Sequence, residues 1–349
     1  MWLDFSIPFN INTLSPQTPF EEEVISFLKD WHNASVIVPV QTSGSTGIPK
    51  IFDVEKGKMR HSARMTCDFL KLNEGDTALL CLPVAYISGK MMIVRAIERK
   101  LKLSVFTPSS RPLKELTQAV DFCAMSPLQV ENSLDRLHLL QKLIIGGAQV
   151  SQQLQRKIHD TLSPSTKVKI YETYGMSETL SHIALKEIFP VRENHFKAFE
   201  DIGLSTDVRN CLKIDAPQMN ADILQTNDIV ELNDDGTFVF IGRQDNVINS
   251  GGLKIHPEVL EDFAKQHLAY EVVFTAQPDE MLGEKLVMTI EAEENLALKE
   301  EIDDLKTKIA EKHSRNHVPK EIYFFKTFPR LANGKINRRD LTQLVQDRP

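Results

Sequence analysis

Cysteine is scarce and scattered: the four in 349 residues, Cys67, Cys81, Cys123 and Cys211, form no CxxC pair and have no histidine cluster beside them. That argues against a disulfide framework or a thiolate metal site and for reduced, buried thiols. Positive charge is also short. Forty-one Lys and Arg against 48 Asp and Glu leave a formal charge of −7, so no broad basic surface is available for nucleic acid, and any polyanion must be held locally. No stretch approaches the ~18 consecutive apolar residues of a membrane span. Met1-Trp-Leu-Asp-Phe-Ser6 has no basic segment leading into an apolar one. These absences favour a cytoplasmic protein with no membrane insertion, and no internal repeat suggests a solenoid.

What remains is ordinary globular composition, with 42% apolar and 26% charged residues. The length favours two domains of unequal size. Buried strands are expected over 36–40, 77–82, 103–106, 143–145 and 167–170, with helices over 58–69, 89–100 and 152–161 between them. That alternation implies an α/β sheet with helices packed on its faces. Past about Asp207 the pattern changes to short strands, with Asn233-Asp-Asp-Gly236 as a hairpin turn before a strand over 237–241. From Pro257 the sequence predicts a compact α+β unit: a helix, strands over 271–274 and 285–291, a charged helix over 295–313 and a strand near Ile322. The charges of that long helix read as its solvated face. The division is expected at Asp245, giving a large domain over 1–244 and a small one over 245–349.

Several strings carry chemistry. Thr42-Ser-Gly-Ser-Thr-Gly-Ile-Pro-Lys50 holds four hydroxyl residues, two glycines and a lysine in nine positions, a composition able to wrap donors around phosphate oxygens. Its spacing is not that of a Walker loop, and alone it is equally a polar surface turn. Leu143-Ile-Ile-Gly-Gly-Ala148 reads as a strand stopping at two glycines, where a flat ring can approach the backbone, or as a plain strand-to-helix turn. Tyr171-Glu-Thr-Tyr-Gly-Met-Ser-Glu-Thr179 offers in Glu178 a hard oxygen ligand suited to Mg²⁺, or a surface glutamate. Asp228 could as well be a turn residue. Gly242-Arg-Gln-Asp245 precedes Gly251 and Gly252, and Pro329-Arg-Leu-Ala-Asn-Gly-Lys335 sets a lysine on an Asn-Gly turn.

Taken together and in this order, the strings resemble the adenylate-forming ligases, which include acyl-CoA synthetases, aryl-CoA ligases, luciferases and peptide-synthetase adenylation domains. The resemblance runs from Ser35 to Leu341. It implies an ATP-dependent acid–thiol ligase that passes through an acyl-AMP, with ATP, Mg²⁺ and CoA taking part. Thr42, Ser43, Gly44, Ser45, Thr46, Gly47 and Lys50 would hold the β- and γ-phosphates. Gly147 and Ala148 would lie on one face of the adenine and Tyr174 on the other. Glu178 would meet the metal, Thr179 the α-phosphate, and Asp228 with Arg243 the ribose. The resemblance also makes Asp245 the pivot of a small domain that turns between two half-reactions, and Gly251 and Gly252 the lining of a thiol tunnel. Lys335 would stabilise charge on the transferring group during adenylation.

For the acid, Leu82-Pro-Val-Ala-Tyr86-Ile-Ser-Gly89-Lys-Met-Met-Ile-Val-Arg95 resembles the corresponding segment of 2-succinylbenzoate–CoA ligases of menaquinone synthesis. Many of those have His where this chain has Tyr86. Tyr86, Ser88, Gly89, Lys90 and Arg95 are thus the substrate candidates, with Arg95 suited to grip a second, unreacted carboxylate through two hydrogen bonds or else to cap a carbonyl. Only ~40 residues precede the phosphate loop, which suggests a pared-down N-terminal region compared with most of the family. Other expectations of the resemblance are a ligase for another aryl or short acyl acid, with CoA or a carrier protein as acceptor, or an inactive member serving as a binding module.

Overall fold

The computed structural model describes residues 1–41, 51–176, 178–331 and 336–348. Its centre is a twelve-stranded mixed sheet. Lys102–Val105, Thr77–Leu80, Val120–Met125, Leu140–Ile145 and Lys169–Gly175 lie side by side and parallel in that spatial order. Successive side chains of a strand point to opposite faces, and here both faces are covered. Ala78, Leu80, Phe122, Ala124 and Ile144 join a core shared with the helices Pro19–His32, Lys56–Phe69 and Ile87–Arg99. Leu79, Cys81, Cys123, Met125, Leu143 and Ile145 face the other way, onto Pro127–Glu131 and Gln152–Thr161. This is the expected α/β architecture with helices on both faces, and all four cysteines are buried free thiols.

Beyond Gly175 the sheet becomes antiparallel through His182–Phe189, Phe196–Ala198, Thr237–Arg243, Leu224–Leu232, Cys211–Asp215 and Gly203–Thr206. The turn expected at Asn233–Gly236 joins Leu224–Leu232 to Thr237–Arg243, with Gly236 at φ +79°. A second sheet carries Leu253–Ile255, Ile248–Ser250, Gly283–Glu291 and Val272–Asp279, and Glu321–Phe325 runs parallel to Gly283–Glu291. Its core is separate. The helix Leu296–Lys312 supplies Leu298, Ile302, Leu305 and Ile309, spaced four, three and four apart as one apolar stripe, and leaves its charges outside. Among the described residues no helix is long and apolar enough to cross a membrane.

Several elements were not expected from the sequence, the helix Pro19–His32 and the strand His182–Phe189 among them, and three more bear on the site. Ile51–Glu55 pairs with Ile37–Gln41, so residues 42–50 join two adjacent antiparallel strands. Val120–Met125 is a central strand despite Asp121, whose carboxylate is taken up by the amide and hydroxyl of Thr77. Arg338–Gln346 is a closing helix capped by Asn337.

Gly89 shows how tightly the first turn of Ile87–Arg99 is seated: a Cβ there would lie 2.3 Å from the Pro83 carbonyl oxygen and 2.8 Å from that of Leu82. The clash is with backbone, so Gly89→Ala is expected to destabilise the protein by about 3 kcal/mol. Gly57, near the start of Lys56–Phe69, has no atom within 4 Å of an added Cβ. Gly57→Ala is therefore expected to stabilise by roughly 0.5–1 kcal/mol through helix propensity and unfolded-state entropy. Urea unfolding of the pair checks both signs.

Candidate active site

The residues expected to hold a nucleotide gather where the parallel strands end. The amide of Gly146 donates to Met125 O at 3.1 Å, and a Cβ at Gly146 would meet Thr173 Oγ1 at 2.7 Å. Gly147 follows at φ +86°, in the left-handed region that favours glycine. Gly147 and Ala148 are exposed just past the C-terminal end of the central strand Leu140–Ile145. The neighbouring strand delivers Tyr174, whose ring packs on Phe238 and Phe196 with centroids 5.0 and 5.7 Å away.

Its hydroxyl donates to Asp228 Oδ2 at 2.7 Å. Burial, then the Asp228 carboxylate, pushes this phenol above its ordinary range, so it stays a donor. Asp228 faces Arg243 across the antiparallel pair because of a bulge. Ile229 pairs with Gly242 but Val230 with Phe240, so Ile241 is the extra residue; were it paired in unbroken register, it would face Ile229 and Gly242 would stand opposite Asp228. Arg243 Nη1 lies 3.6 Å from Asp228 Oδ1, and its Nη2 donates to Asp245 Oδ2 at 2.9 Å. Asn227 Nδ2 donates to Asp245 Oδ1 at 3.1 Å. Tyr174, Asp228, Arg243 and Asp245 thus form one cluster, in which Asp228 Oδ1 keeps acceptor capacity for hydroxyl groups.

Glu178 is exposed on the turn after this strand. Among the described residues no group of three His, Cys, Asp or Glu could hold a metal. A hard cation at Glu178 would therefore take its remaining ligands from phosphate and water, as Mg²⁺ does. Thr179 departs from the expected phosphate contact. It is fully buried, and its hydroxyl accepts from the Met176 amide at 3.0 Å and donates to Ser181 O at 2.7 Å, closing the turn. Thr42 to Lys50, and Lys335 with them, lie outside the described residues; Arg330 pairs with Ile336 on either side of Lys335.

The acid-side candidates separate. Tyr86 caps Ile87–Arg99 at its N-terminus, Ser88 is exposed, and Gly89 serves the close packing described above. Lys90 is otherwise engaged: its ammonium donates to Pro39 O at 2.6 Å and lies over the Phe27 ring. Arg95 points into the core and is 2% exposed. Nη2 donates to Ser181 Oγ at 3.0 Å; among the described residues Nη1 reaches only Met92 Sδ at 3.9 Å and Nε has no partner. Among the described residues no carboxylate lies within ion-pair distance of it. Burial pulls its pKa down to about 10, so it remains a cation at neutral pH. Ser181 and His182 beside it drew no attention in the sequence; their only signal is that they follow the Tyr171–Thr179 string. Gly175 brings the two halves together, since a Cβ there would lie 2.5 Å from both His182 Cα and Ser181 O.

A family model described as AMP-binding enzyme matches residues 18–218. This chain belongs to that family. Among curated relatives, the 2-succinylbenzoate–CoA ligase of Lactococcus lactis is 24% identical, over 91% of this chain and 73% of its own length. That of Bacillus cytotoxicus is 24% identical, over 90% and 71%. Among solved structures, an acyl-CoA synthetase (AMP-forming)/AMP-acid ligase II-like protein from Dyadobacter fermentans is 35% identical, covering 96% of this chain and 97% of that one, at TM-score 0.64. The O-succinylbenzoate coenzyme A synthetase of Bacillus subtilis in complex with ATP and magnesium ion shares the fold at TM-score 0.71, with 18% identity over 87% of this chain and 69% of that one. By class the AMP-binding enzyme described here is an AMP-forming acyl-CoA synthetase.

In this enzyme the helix Pro257–Ala264 of the second sheet touches the nucleotide side directly. Gln149, next to Ala148, donates to Asp262 Oδ2 at 3.0 Å, and Arg156 Nη1 donates to Gln266 O at 3.3 Å. Glu258 Oε1 accepts from Asn246 Nδ2 at 2.5 Å, just past Asp245. Burial, opposed by Lys265, raises the Asp262 pKa from 3.8 to about 6. The folded protein then holds a proton that the unfolded chain has released, so this residue's contribution is present below pH 3.8 and is lost as pH rises through 6. Asp262→Asn keeps an acceptor for Gln149 and is expected to have the higher Tm at pH 7.5, with the two proteins converging by about pH 4. Thermal melts across that window check it.

Proposed function

We propose that this enzyme couples an acid bearing a second carboxylate, 2-succinylbenzoate, to CoA. The reacting carboxylate attacks the α-phosphorus of ATP, giving acyl-AMP and pyrophosphate; the CoA thiolate then attacks the acyl carbon and AMP leaves. The observation that carries the reading is Arg95, a buried cation with no carboxylate near it among the described residues. Such a charge costs several kcal/mol unless paired, and a substrate carboxylate can satisfy a guanidinium through two parallel hydrogen bonds. The curated relatives named for this acid support the same choice.

The other roles follow from the cluster and from the resemblance. Asp228 accepts the ribose hydroxyls while Tyr174 and Arg243 hold it in place, and Gly147 and Ala148 give the adenine room to lie against backbone. Glu178 would hold Mg²⁺, which would supply positive charge to offset that of the phosphates. Residues 42–50 hold the β- and γ-phosphates. Thr179 has no part, since its hydroxyl is committed to the turn. Residues 245–349 form a domain that turns about Asp245 between half-reactions, a movement only a few backbone angles need absorb. Gly251 and Gly252, at φ +58° and +81° between Ile248–Ser250 and Leu253–Ile255, then line the thiol path.

Two variants test this. Arg95→Met should cut kcat/KM for 2-succinylbenzoate by about a hundredfold and that for an analogue lacking the second carboxylate by far less. Because it replaces an unpaired buried cation by an apolar chain, its Tm should not fall. Equal losses on the two acids remove Arg95 from the substrate. Lys335→Ala should abolish acid-dependent ATP–pyrophosphate exchange yet retain thioester formation from synthetic acyl-AMP and CoA; loss of both half-reactions in equal measure makes Lys335 structural.

A further inference from the structure

Arg95 begins a chain of hydrogen bonds whose direction is fixed by chemistry. A guanidinium only donates, so Ser181 Oγ must accept from Nη2 at 3.0 Å, and the Ser181 proton must go elsewhere. The acceptor within reach is His182 Nδ1 at 3.5 Å. If Nδ1 accepts, the neutral ring carries its proton on Nε2, which lies 3.0 Å from Thr66 Oγ1. Thr66 can receive it because its own hydroxyl donates to Ser62 O at 3.1 Å. The order is Arg95 to Ser181 to His182 to Thr66 to Ser62, and it ties the helices Ile87–Arg99 and Lys56–Phe69 to the strand His182–Phe189.

Among the described residues Arg95 is the charge that acts on this ring. Phe199 lies edge-on at 5.6 Å, and burial together with the Arg95 charge holds His182 well below the ordinary histidine range. A protonated ring would turn Nδ1 into a donor, set a second cation beside Arg95 and leave the Ser181 proton without its acceptor.

We propose that His182 is a positioning residue for acid selection: by accepting the Ser181 proton it turns the serine lone pairs to Arg95 and holds the guanidinium with Nε free for a substrate carboxylate. This rests on the reading of Arg95 as the grip on a second carboxylate. His182→Phe keeps the ring volume and removes the acceptor, whereas His182→Asn places Oδ1 close to where Nδ1 stood. With 2-succinylbenzoate, the Phe enzyme is expected to show KM raised about tenfold with kcat within about twofold, the size of one lost hydrogen bond to a charged group, and the Asn enzyme to recover most of that. KM for the analogue without the second carboxylate should move by no more than about twofold in either. In ¹⁵N-histidine spectra the signal missing from the Asn variant should report a neutral Nε2–H ring that does not titrate between pH 8 and pH 5.5.

Phe and Asn enzymes that behave alike, equal losses on both acids, or an Nδ1–H tautomer each overturn the proposal. An Arg95→Met enzyme that treats the two acids alike removes the Arg95 reading and this one with it. Should Arg95→Met discriminate while His182→Phe does not, the role of His182 alone is lost.

Discussion

A guanidinium enclosed in a protein core, with no acid beside it among the described residues, constrains everything around it. Arg95 is placed there by the helix Ile87–Arg99, and that helix can sit so deep only because Gly89 lets its first turn touch the Leu82–Pro83 backbone. Lys90 pins the same turn to the strand Ile37–Gln41, whose far end leads into residues 42–50. On the other side Gly175 lets the backbone of the nucleotide strand approach that of Ser181 and His182. The buried cation, the strand that leads into residues 42–50 and the strand that carries Tyr174 are thereby assembled by one helix and two glycines. A charge with no acid beside it among the described residues is complementary to the anion proposed to bind there.

The second sheet bears on the same place from outside. Asp262 and Gln266 meet Gln149 and Arg156 next to Gly147 and Ala148, while Glu258 reaches back to Asn246 beside Asp245. One short helix therefore touches both the nucleotide side and the proposed pivot. A turn about Asp245 must break the Gln149 and Arg156 contacts, which are few, polar and partly exposed. Contacts of that kind suit a movement that has to be reversible in every catalytic cycle.

Much of this was legible before any coordinates. The α/β sheet with helices on its faces followed from short apolar runs alternating with helical ones, and the Asn233–Gly236 turn from its composition. Asp228 and Arg243 were singled out by the order of the strings, but their direct opposition depends on Ile241 bulging out of the ladder, which no local pattern announces. Val120–Met125 was hidden by Asp121, because a carboxylate in a central strand is acceptable only when another strand supplies its donors. Thr179 and Lys90 carried the right residue types but spend their polar groups on the fold. The chain from Arg95 to Thr66 joins residues more than a hundred positions apart, beyond the reach of periodicity or spacing.

The claim that a second carboxylate selects the substrate is tested most directly with the unaltered enzyme, by ATP–pyrophosphate exchange across a panel of acids at equal concentration. The account requires 2-succinylbenzoate to drive exchange about a hundredfold faster than the matching acid without its second carboxylate. Equal exchange with both, or fast exchange with the monocarboxylate alone, would contradict it.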